Sequence, residues 1–276
     1  MIEHLRYVNS KGDEMTFGPG TCWEIGSHDL FDLSLEARET GGIITSHHYP
    51  TTESHLELRM VGGSVEERNR LIELVSYDVG VGERGTLWAG ESYRKCFVYG
   101  FEQSLTRMRD SVIRENLLIR SDKPAWIRKK AYTLVPYDNT TVGGLDYPYD
   151  YPHDYLFSRG SSVDIVNPFQ LPCKCDIVFP GPCTSPYVII AGNRYEVEAQ
   201  ANKGDLIIIR GFSGDKPDVV IRFSDGSEKS LFDKAYRKEG EDAFAEIPVG
   251  KHDASWSGAF NVEVIMYEER TAPWYV

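Results

Sequence analysis

Three cysteines in the second half of the chain come closest to a metal-binding pattern. Cys173-Lys-Cys175 together with Cys183 could supply three thiolates. Structural zinc sites favour two to four residues between paired cysteines and need a fourth ligand, whereas here one residue separates the pair and no obvious fourth ligand follows. Because Cys22 and Cys96 complete an odd, scattered set, the sequence predicts reduced thiols and no bound metal.

Histidines form a second group of possible metal ligands. His47 and His48 are adjacent, and His55 follows shortly after them. Adjacent side chains of a strand point to opposite faces, so His47 and His48 cannot easily share one ion there. We therefore interpret all three as surface or loop histidines.

A glycine pattern at residues 80–85, Gly-Val-Gly-Glu-Arg-Gly, matches the letters of a dinucleotide-binding fingerprint. The fingerprint follows a strand and opens a helix, but this segment follows a predicted helix and leads into a predicted strand. No helix N-terminus is then placed to receive a pyrophosphate, so the pattern predicts a turn and no cofactor. The chain also lacks a Walker lysine motif, a nucleophile elbow and a His-Glu-x-x-His helix.

Carboxylates and aromatic rings leave two less favoured hypotheses open. With 42 Asp and Glu residues, carboxylate pairs arise by chance, and a glycan hydrolase needs two at a defined separation in a cleft. Exposed Trp256, Trp274, Tyr236 and Tyr187 could form a sugar-binding platform, although such rings more often anchor a core or an interface. A carbohydrate-binding β-sandwich that attaches to cell-wall glycans is the main alternative, and we predict no catalytic residue.

Composition restricts the partners. The chain has 276 residues and a formal net charge of −12, which disfavours nucleic acid and anionic membrane surfaces. It contains no signal-peptide pattern and no apolar run of about 18–20 residues, so we expect it to be made and to fold in a cytoplasm. This length suggests one large or two medium domains.

The first part of the chain has the period of antiparallel strands. Residues 31–38 and 56–60 alternate between apolar and polar, with a loop rich in Gly, Thr and His at residues 40–54 between them. Further strands are predicted at residues 85–89, 93–100, 112–120 and 125–135.

One helix is predicted between these strands. Ser64 and Glu67 form a capping box, and an apolar face at helical spacing follows at Leu71, Ile72 and Val75. The glycines of the 80–85 pattern then end the helix.

The middle of the chain changes composition. A loop at residues 138–144 precedes a doubled Tyr-Pro-x-Asp tetrad at residues 147–154. Proline favours extended backbone here, and four tyrosines in nine residues predict a packed strap instead of a loose linker. We therefore predict an N-terminal β domain at residues 1–136, a strap at 137–156 and a C-terminal β domain at 157–276.

The last part of the chain contains many short, β-rich segments separated by Gly, Pro and Asn turns. Their spacing is typical of a β-sandwich or barrel. The segments are residues 163–166, 176–179, 187–190, 195–199, 206–210, 219–223 and 262–267. The predicted fold class is all-β and mainly antiparallel with one short helix: an N-terminal sandwich or barrel and a C-terminal sandwich.

The order of several segments resembles one family. The order of these segments is similar to that of bacteriophage distal tail proteins. These segments are the strap at 146–154, the strand that leads to Gly-Pro at 176–182, and residues 186–190, 192–197 and 204–209. Residues 244–250 resemble that family's Ile-Pro-x-Gly turn, and residues 264–274 its last strand, which ends in Arg and then Pro-Trp. The first domain matches only through its pattern of strands and one capped helix.

This resemblance implies a structural role in a virion. It implies an N-terminal ring-forming domain, a galectin-like C-terminal sandwich and a homo-hexameric hub at the distal end of a phage tail. The implied partners are further copies of the chain, the tail tube protein, the tape-measure protein, and a tail-associated lysin or a receptor-binding fibre protein. No catalytic, cofactor or metal residue is implied, and the long inserted carbohydrate-binding module of some relatives is missing.

Overall fold

Two compact units, each with its own core, make up the computed structural model of the chain. The structure describes residues 4–32, 35–61, 65–104, 113–136, 161–214, 216–237 and 241–273. The first unit comprises Met1–Arg128 with Glu269–Val276, and the second comprises Lys129–Glu268. The predicted strap at 137–156 lies outside the described residues, so its packing stays a prediction, as does the division at 136 and 157.

The first unit is built from antiparallel strands, and buried and exposed residues alternate along several of them. Their bounds are β1 Leu5–Val8, β2 Glu14–Phe17, β3 Trp23–His28, β4 Glu36–Thr40, β5 Ile43–His48, β6 Thr52–Met60, β7 Gly85–Ala89, β8 Ser92–Ser104, β9 Ile113–Ser121 and β10 Trp126–Leu134. The last of these, β10, begins in the first unit and continues into the second from Lys129 onward. The predicted strands from residue 56 onward are confirmed, whereas β1, β2 and β3 were not predicted.

The long strand β8 connects two ladders of the first unit. Its first part pairs with β7, which pairs with β1 and then with β2. Its second part pairs with β9, which pairs with β6 and then with β3. The apolar faces of both ladders enclose one core that includes Trp23, Leu56 and Leu117.

The predicted strand at residues 31–38 is wrong at the described positions 31, 32 and 35. Phe31 lies in a turn, where its ring packs edge-on against His28 at 4.8 Å and Trp126 at 5.6 Å. The strand β4 begins only at Glu36, and the expected loop at 40–54 contains β5 and the start of β6. Alternation in the sequence therefore reflected core packing at Phe31, not an extended strand.

The predicted helix is present as α1, Val65–Val81. Leu71 and Val75 are buried as expected, whereas the proposed cap Ser64 lies outside the described residues. The helix continues through Gly80, and Gly82 ends it with φ +79° while its N–H donates to the carbonyl of Asp78. Since β7 begins at Gly85, the connection is confined to residues 82–84: the prediction that the glycine pattern leads from a helix into a strand is confirmed, whereas the predicted turn over all of residues 80–85 is too long. Within the described part of the chain, no helix has the length and apolarity that a membrane crossing requires.

A buried carboxylate joins α1 to the sheet. Asp78 is fully buried and accepts hydrogen bonds from the Tyr7 hydroxyl at 2.6 Å and the Ser10 backbone N–H at 2.7 Å. Burial raises the pKa of the Tyr7 phenol, so this hydroxyl remains protonated and can donate. Gly85 closes the site, because a Cβ at this position would overlap with both the Tyr7 hydroxyl and the Asp78 carboxylate. Only glycine fits at residue 85.

The second unit is a sandwich of two antiparallel sheets. Its strands are β11 Ser161–Asn167, β12 Lys174–Pro180, β13 Cys183–Thr184, β14 Tyr187–Ile190, β15 Asn193–Glu196, β16 Gln200–Ala201, β17 Leu206–Arg210, β18 Asp218–Arg222, β19 Glu228–Ser230, β20 Gly250–Trp256 and β21 Val262–Arg270. One sheet runs β19-β18-β17-β12-β21, and the other runs β11-β20-β14-β15.

Inward-facing residues of both sheets form the second core, which includes Ile177, Ile209 and Val264 from one sheet and Val188 and Ala254 from the other. The mainly antiparallel, all-β fold class is thus confirmed for the chain. The predicted strand at 195–199 is shorter, since β15 ends at Glu196, and β20 was not predicted because few of its residues are apolar.

Candidate functional site

The most exposed element of the first unit is a two-stranded hairpin formed by β4 and β5. Gly41 and Gly42 connect the strands with φ values of +64° and +78°, which is the left-handed geometry that two-residue hairpin turns require. Every residue of β4 is exposed. At the tip, Ile43 and Ile44 are 70% and 63% exposed.

This hairpin has two unpaired edges. Among the described residues, β4 and β5 pair only with each other. An isolated two-stranded hairpin is at best marginally stable in water, and exposed apolar residues at its tip are typical of a protein contact. The hairpin can therefore donate backbone hydrogen bonds and apolar surface to a partner.

The base of the hairpin is held by the segments on either side of it. Asp29, which follows β3, accepts a hydrogen bond from the backbone N–H of His55 in β6 at 2.5 Å. The second oxygen of Asp29 lies 3.2 Å from Nδ1 of the same histidine. These contacts fix where the hairpin leaves the sheet.

The histidines do not converge on a metal. His48 lies on the hairpin with Nε2 3.4 Å from the Glu36 carboxylate, and His55 contacts Asp29 at the hairpin base. The side chain of His47 lies outside the described part. No group of three or more His, Cys, Asp or Glu side chains with metal-binding geometry occurs among the described residues.

The five cysteines, all at described positions, carry free thiols. Burial raises the pKa of Cys96 and of Cys173 to about 12, and it also raises the pKa of Cys175 and of Cys183. Cys22 is the least buried of the five, and its sulfur lies 3.9 Å from a carboxylate oxygen of Glu67.

We expect one accessible thiol in the folded chain. Burial and the nearby Glu67 carboxylate also raise the pKa of Cys22, so accessibility distinguishes it from the other four. Cys22 should react first with Ellman's reagent, and the four buried thiols only after unfolding in denaturant. The Cys22→Ser variant should lose the fast phase alone. Fast reaction of two or more thiols in the native chain, or stoichiometric zinc by elemental analysis, would contradict this expectation.

The aromatic side chains of the less favoured sugar-binding hypothesis lie in different surroundings at the described positions. Trp256 is buried at 6% exposure and its indole N–H donates to the carbonyl of Phe260, so it belongs to the core. Tyr187 and Tyr236 both face the guanidinium of Arg194, at 4.0 Å and 5.8 Å, while Trp274 lies outside the described residues. Trp256 therefore anchors the core, which is the interpretation that the sequence favoured, and it cannot belong to a sugar-binding platform.

A charged cluster on the outer face of β3 and β6 has a measurable consequence. Glu57 accepts hydrogen bonds from Nε of Arg59 at 2.9 Å and from the Ser27 hydroxyl at 2.8 Å. These donors lower the pKa of the Glu57 carboxyl to about 2.

Since the pKa of Glu57 is lower in the folded chain, its ionised form stabilises the fold above the ordinary carboxyl pKa, and this contribution is lost as the pH falls from about 5 towards 2. The partly exposed carboxyl should contribute no more than about 1 kcal/mol. The midpoint temperature of thermal unfolding should differ less between pH 6 and pH 3 for Glu57→Gln than for the wild type. An equal or larger difference in the variant would contradict this assignment.

Solved phage structures share this fold. The chain is similar to two structures of the phage P2 baseplate in its activated conformation, one with calcium and one with strontium; each has 13% identity, a TM-score of 0.57, and coverage of 98% of this chain and 99% of that chain. It is also similar to the Dit protein of phage SPP1, described as a paradigm of the hub adsorption apparatus in phages that infect Gram-positive bacteria. That likeness has 10% identity and a TM-score of 0.51, and it covers 96% of this chain and 99% of the Dit chain.

These likenesses confirm the predicted resemblance at the level of the fold. They extend over almost the whole chain and almost the whole of each solved chain. No protein-family model and no curated protein matches the sequence.

Proposed function

We propose that this chain is a non-catalytic structural component of a phage tail tip, a homo-hexameric ring that joins the tail tube to the host-recognition apparatus. The observation that carries the proposal is a fold shared over both units with phage baseplate and hub proteins. A likeness limited to one unit could reflect a common β-sandwich, whereas this one includes both units in the same order along the chain.

The first unit has the surface that a ring requires. A head-to-tail contact joins two different surfaces and closes into a ring when the rotation between neighbours fits. The β4–β5 hairpin is our candidate for one such surface, because its edges have no strand partner in the described ranges and its tip exposes Ile43 and Ile44.

Charge allows this association. Residues 1–136 contain 17 Lys and Arg against 20 Asp and Glu, a net charge of −3 out of −12 for the whole chain. Most of the negative charge therefore lies outside the proposed ring-forming region, and repulsion between neighbouring first units is weak.

The second unit is better suited to lie outside the ring. One edge of its smaller sheet, at β15, is covered by the segment after β19, where the Tyr236 N–H donates to the Glu196 carbonyl and the Glu198 N–H donates to the Lys234 carbonyl. Covered edges do not pair with another chain. We infer that this unit contributes no ring contact and faces a receptor-binding fibre protein or a tail-associated lysin.

The ring would lie at the distal end of the tail, next to the tail tube and tape-measure proteins, after assembly in the host cytoplasm. Antibodies against the purified chain should label one end of the tail in immunogold electron micrographs of particles that contain it. Labelling of the capsid, or along the entire tail, would overturn the proposal. Purified chain at high concentration should also form six-membered rings in negative stain.

A further inference from the structure

A cleft of about 440 Å³ opens on the outer face of the sheet formed by β3, β6 and β9. It lies where the pairing between β3 and β6 shifts register between Ile25 and His28. Such bulges widen a sheet locally and redirect side chains. Gly26 adds room, because a Cβ there would lie 2.8 Å from the Glu57 side chain.

Two carboxylates line the cleft and are held in fixed positions. Glu57 is held by the Arg59 and Ser27 hydrogen bonds, and Asp29 by the backbone and ring of His55. Each carboxylate can accept about four hydrogen bonds, so both retain acceptor positions for a ligand.

The third strand adds a donor and a further acceptor. Arg114 lines the cleft, and its guanidinium has no hydrogen-bond or ion-pair partner among the described residues. Asn116 donates from Nδ2 to Glu102 at 3.3 Å, which leaves its amide oxygen without a partner in the same part of the chain. Donors and acceptors therefore lie side by side across the three strands.

One wall of the cleft is flat and uncharged. The His28 ring is held by the edge of Phe31, which packs in turn on Trp126. Burial lowers the pKa of the His28 imidazole, which favours its neutral form. A flat, neutral ring beside polar groups can pack against the C–H face of a pyranose.

We propose that this cleft binds a neutral sugar, one or two rings of a glycan. A hydroxyl both donates and accepts, so it matches a surface where guanidinium, amide and carboxylate groups alternate. The two guanidiniums of Arg114 and Arg59 balance the two carboxylates of Asp29 and Glu57, which disfavours a phosphate or a free cation. The volume lies within the range of about 300–1,000 Å³ that is typical of small-molecule sites.

The proposal does not depend on the hub function. An open cleft predicts weak binding, with a dissociation constant of about 1–10 mM for one cleft. If the chain also forms a ring, several clefts on one particle would bind a polymeric glycan with higher avidity.

Glucose, galactose, N-acetylglucosamine and rhamnose should each be titrated into the full-length, isotopically labelled chain and followed by two-dimensional NMR. At least one sugar should give saturable shifts below about 50 mM, confined to residues around the cleft. Asn116→Ala and Arg114→Ala should each weaken that binding at least about 10-fold. Arg120→Ala, an exposed position on the same strand outside the cleft, should leave it unchanged.

Three results would overturn the proposal: no saturable shift with any of the four sugars, shifts that remain in both cleft variants, or tighter binding of inorganic phosphate than of every sugar. Thermal unfolding of each variant verifies that the fold is intact. Gly26→Ala provides a second readout, because it moves Glu57 without removing a polar group and should also weaken binding. None of these outcomes bears on ring formation, so the two proposals can fail separately.

Discussion

Replacing Asp78 by alanine is expected to lower the free energy of unfolding of the first unit by about 3–5 kcal/mol. The change leaves the buried Tyr7 hydroxyl without an acceptor, which costs about 1–3 kcal/mol, and it removes the acceptor of the partly buried Ser10 N–H, which costs less because water can reach Ser10. It also leaves a cavity between α1 and β1. Urea unfolding followed by tryptophan fluorescence measures the loss, because Trp23 lies in the same core.

Glu73→Ala is the matched control, since Glu73 is exposed on the same helix and alanine favours helix. It should change the free energy of unfolding by less than about 0.5 kcal/mol. Asp78→Asn retains an acceptor oxygen, so its free energy of unfolding should lie between those of Asp78→Ala and Glu73→Ala. If Asp78→Ala unfolds at the same urea concentration as Glu73→Ala, the carboxylate does not hold the helix on the sheet.

The second large effect concerns assembly. The double variant Ile43→Lys and Ile44→Lys should convert the proposed ring into monomers, because it places charges at the exposed tip of the hairpin. Burying one isoleucine contributes about 1.5–3 kcal/mol, so losing two should weaken each contact more than 100-fold. Sedimentation velocity across a concentration series of the full-length chain measures this change.

Leu171→Lys is the control for that experiment, because Leu171 is 73% exposed but lies in the second unit. It should assemble as the wild type does. A double variant that remains hexameric, or a Leu171→Lys variant that dissociates, would show that the hairpin is not the ring contact. The replaced side chains are exposed, so the fold itself should tolerate all three changes.

Much of the fold follows from local pattern. β6 alternates over nine residues with its apolar side in the core, β17 is a short apolar run, and both were predictable. Gly82 ends α1 because it adopts a positive φ, which glycine does without strain. These elements were recognised because local propensity and burial agree.

The hairpin was not predicted as a pair of strands, because buried and exposed residues do not alternate along β4. β4 is exposed on both sides, so periodicity cannot mark it. The signal that was present is the pair Gly41-Gly42, a frequent sequence for a two-residue hairpin turn. The pair falls in the segment predicted as a loop, residues 40–54, and the strand predicted at residues 31–38 overlaps β4 only at residues 36–38.

The cleft could not be predicted, for a different reason. Its residues come from three segments, near 28, 56 and 115, that only the register of β3, β6 and β9 brings together. A shift of one residue in that register would turn every side chain to the other face. The bulge after Ile25 sets which side chains meet, and a single sequence carries no direct sign of it.

The absent side chain at Gly85 has a consequence for how the sequence can diverge. Tyr7, Asp78 and Gly85 occupy one small volume although they are far apart along the chain. Alanine at 85 would overlap with the side chains of both Tyr7 and Asp78, so a smaller residue at position 7 alone would not make room for it. Related chains should therefore change these three positions together or not at all. Such linked substitution would mark descent from a common ancestor even where overall identity has fallen too low to reveal it.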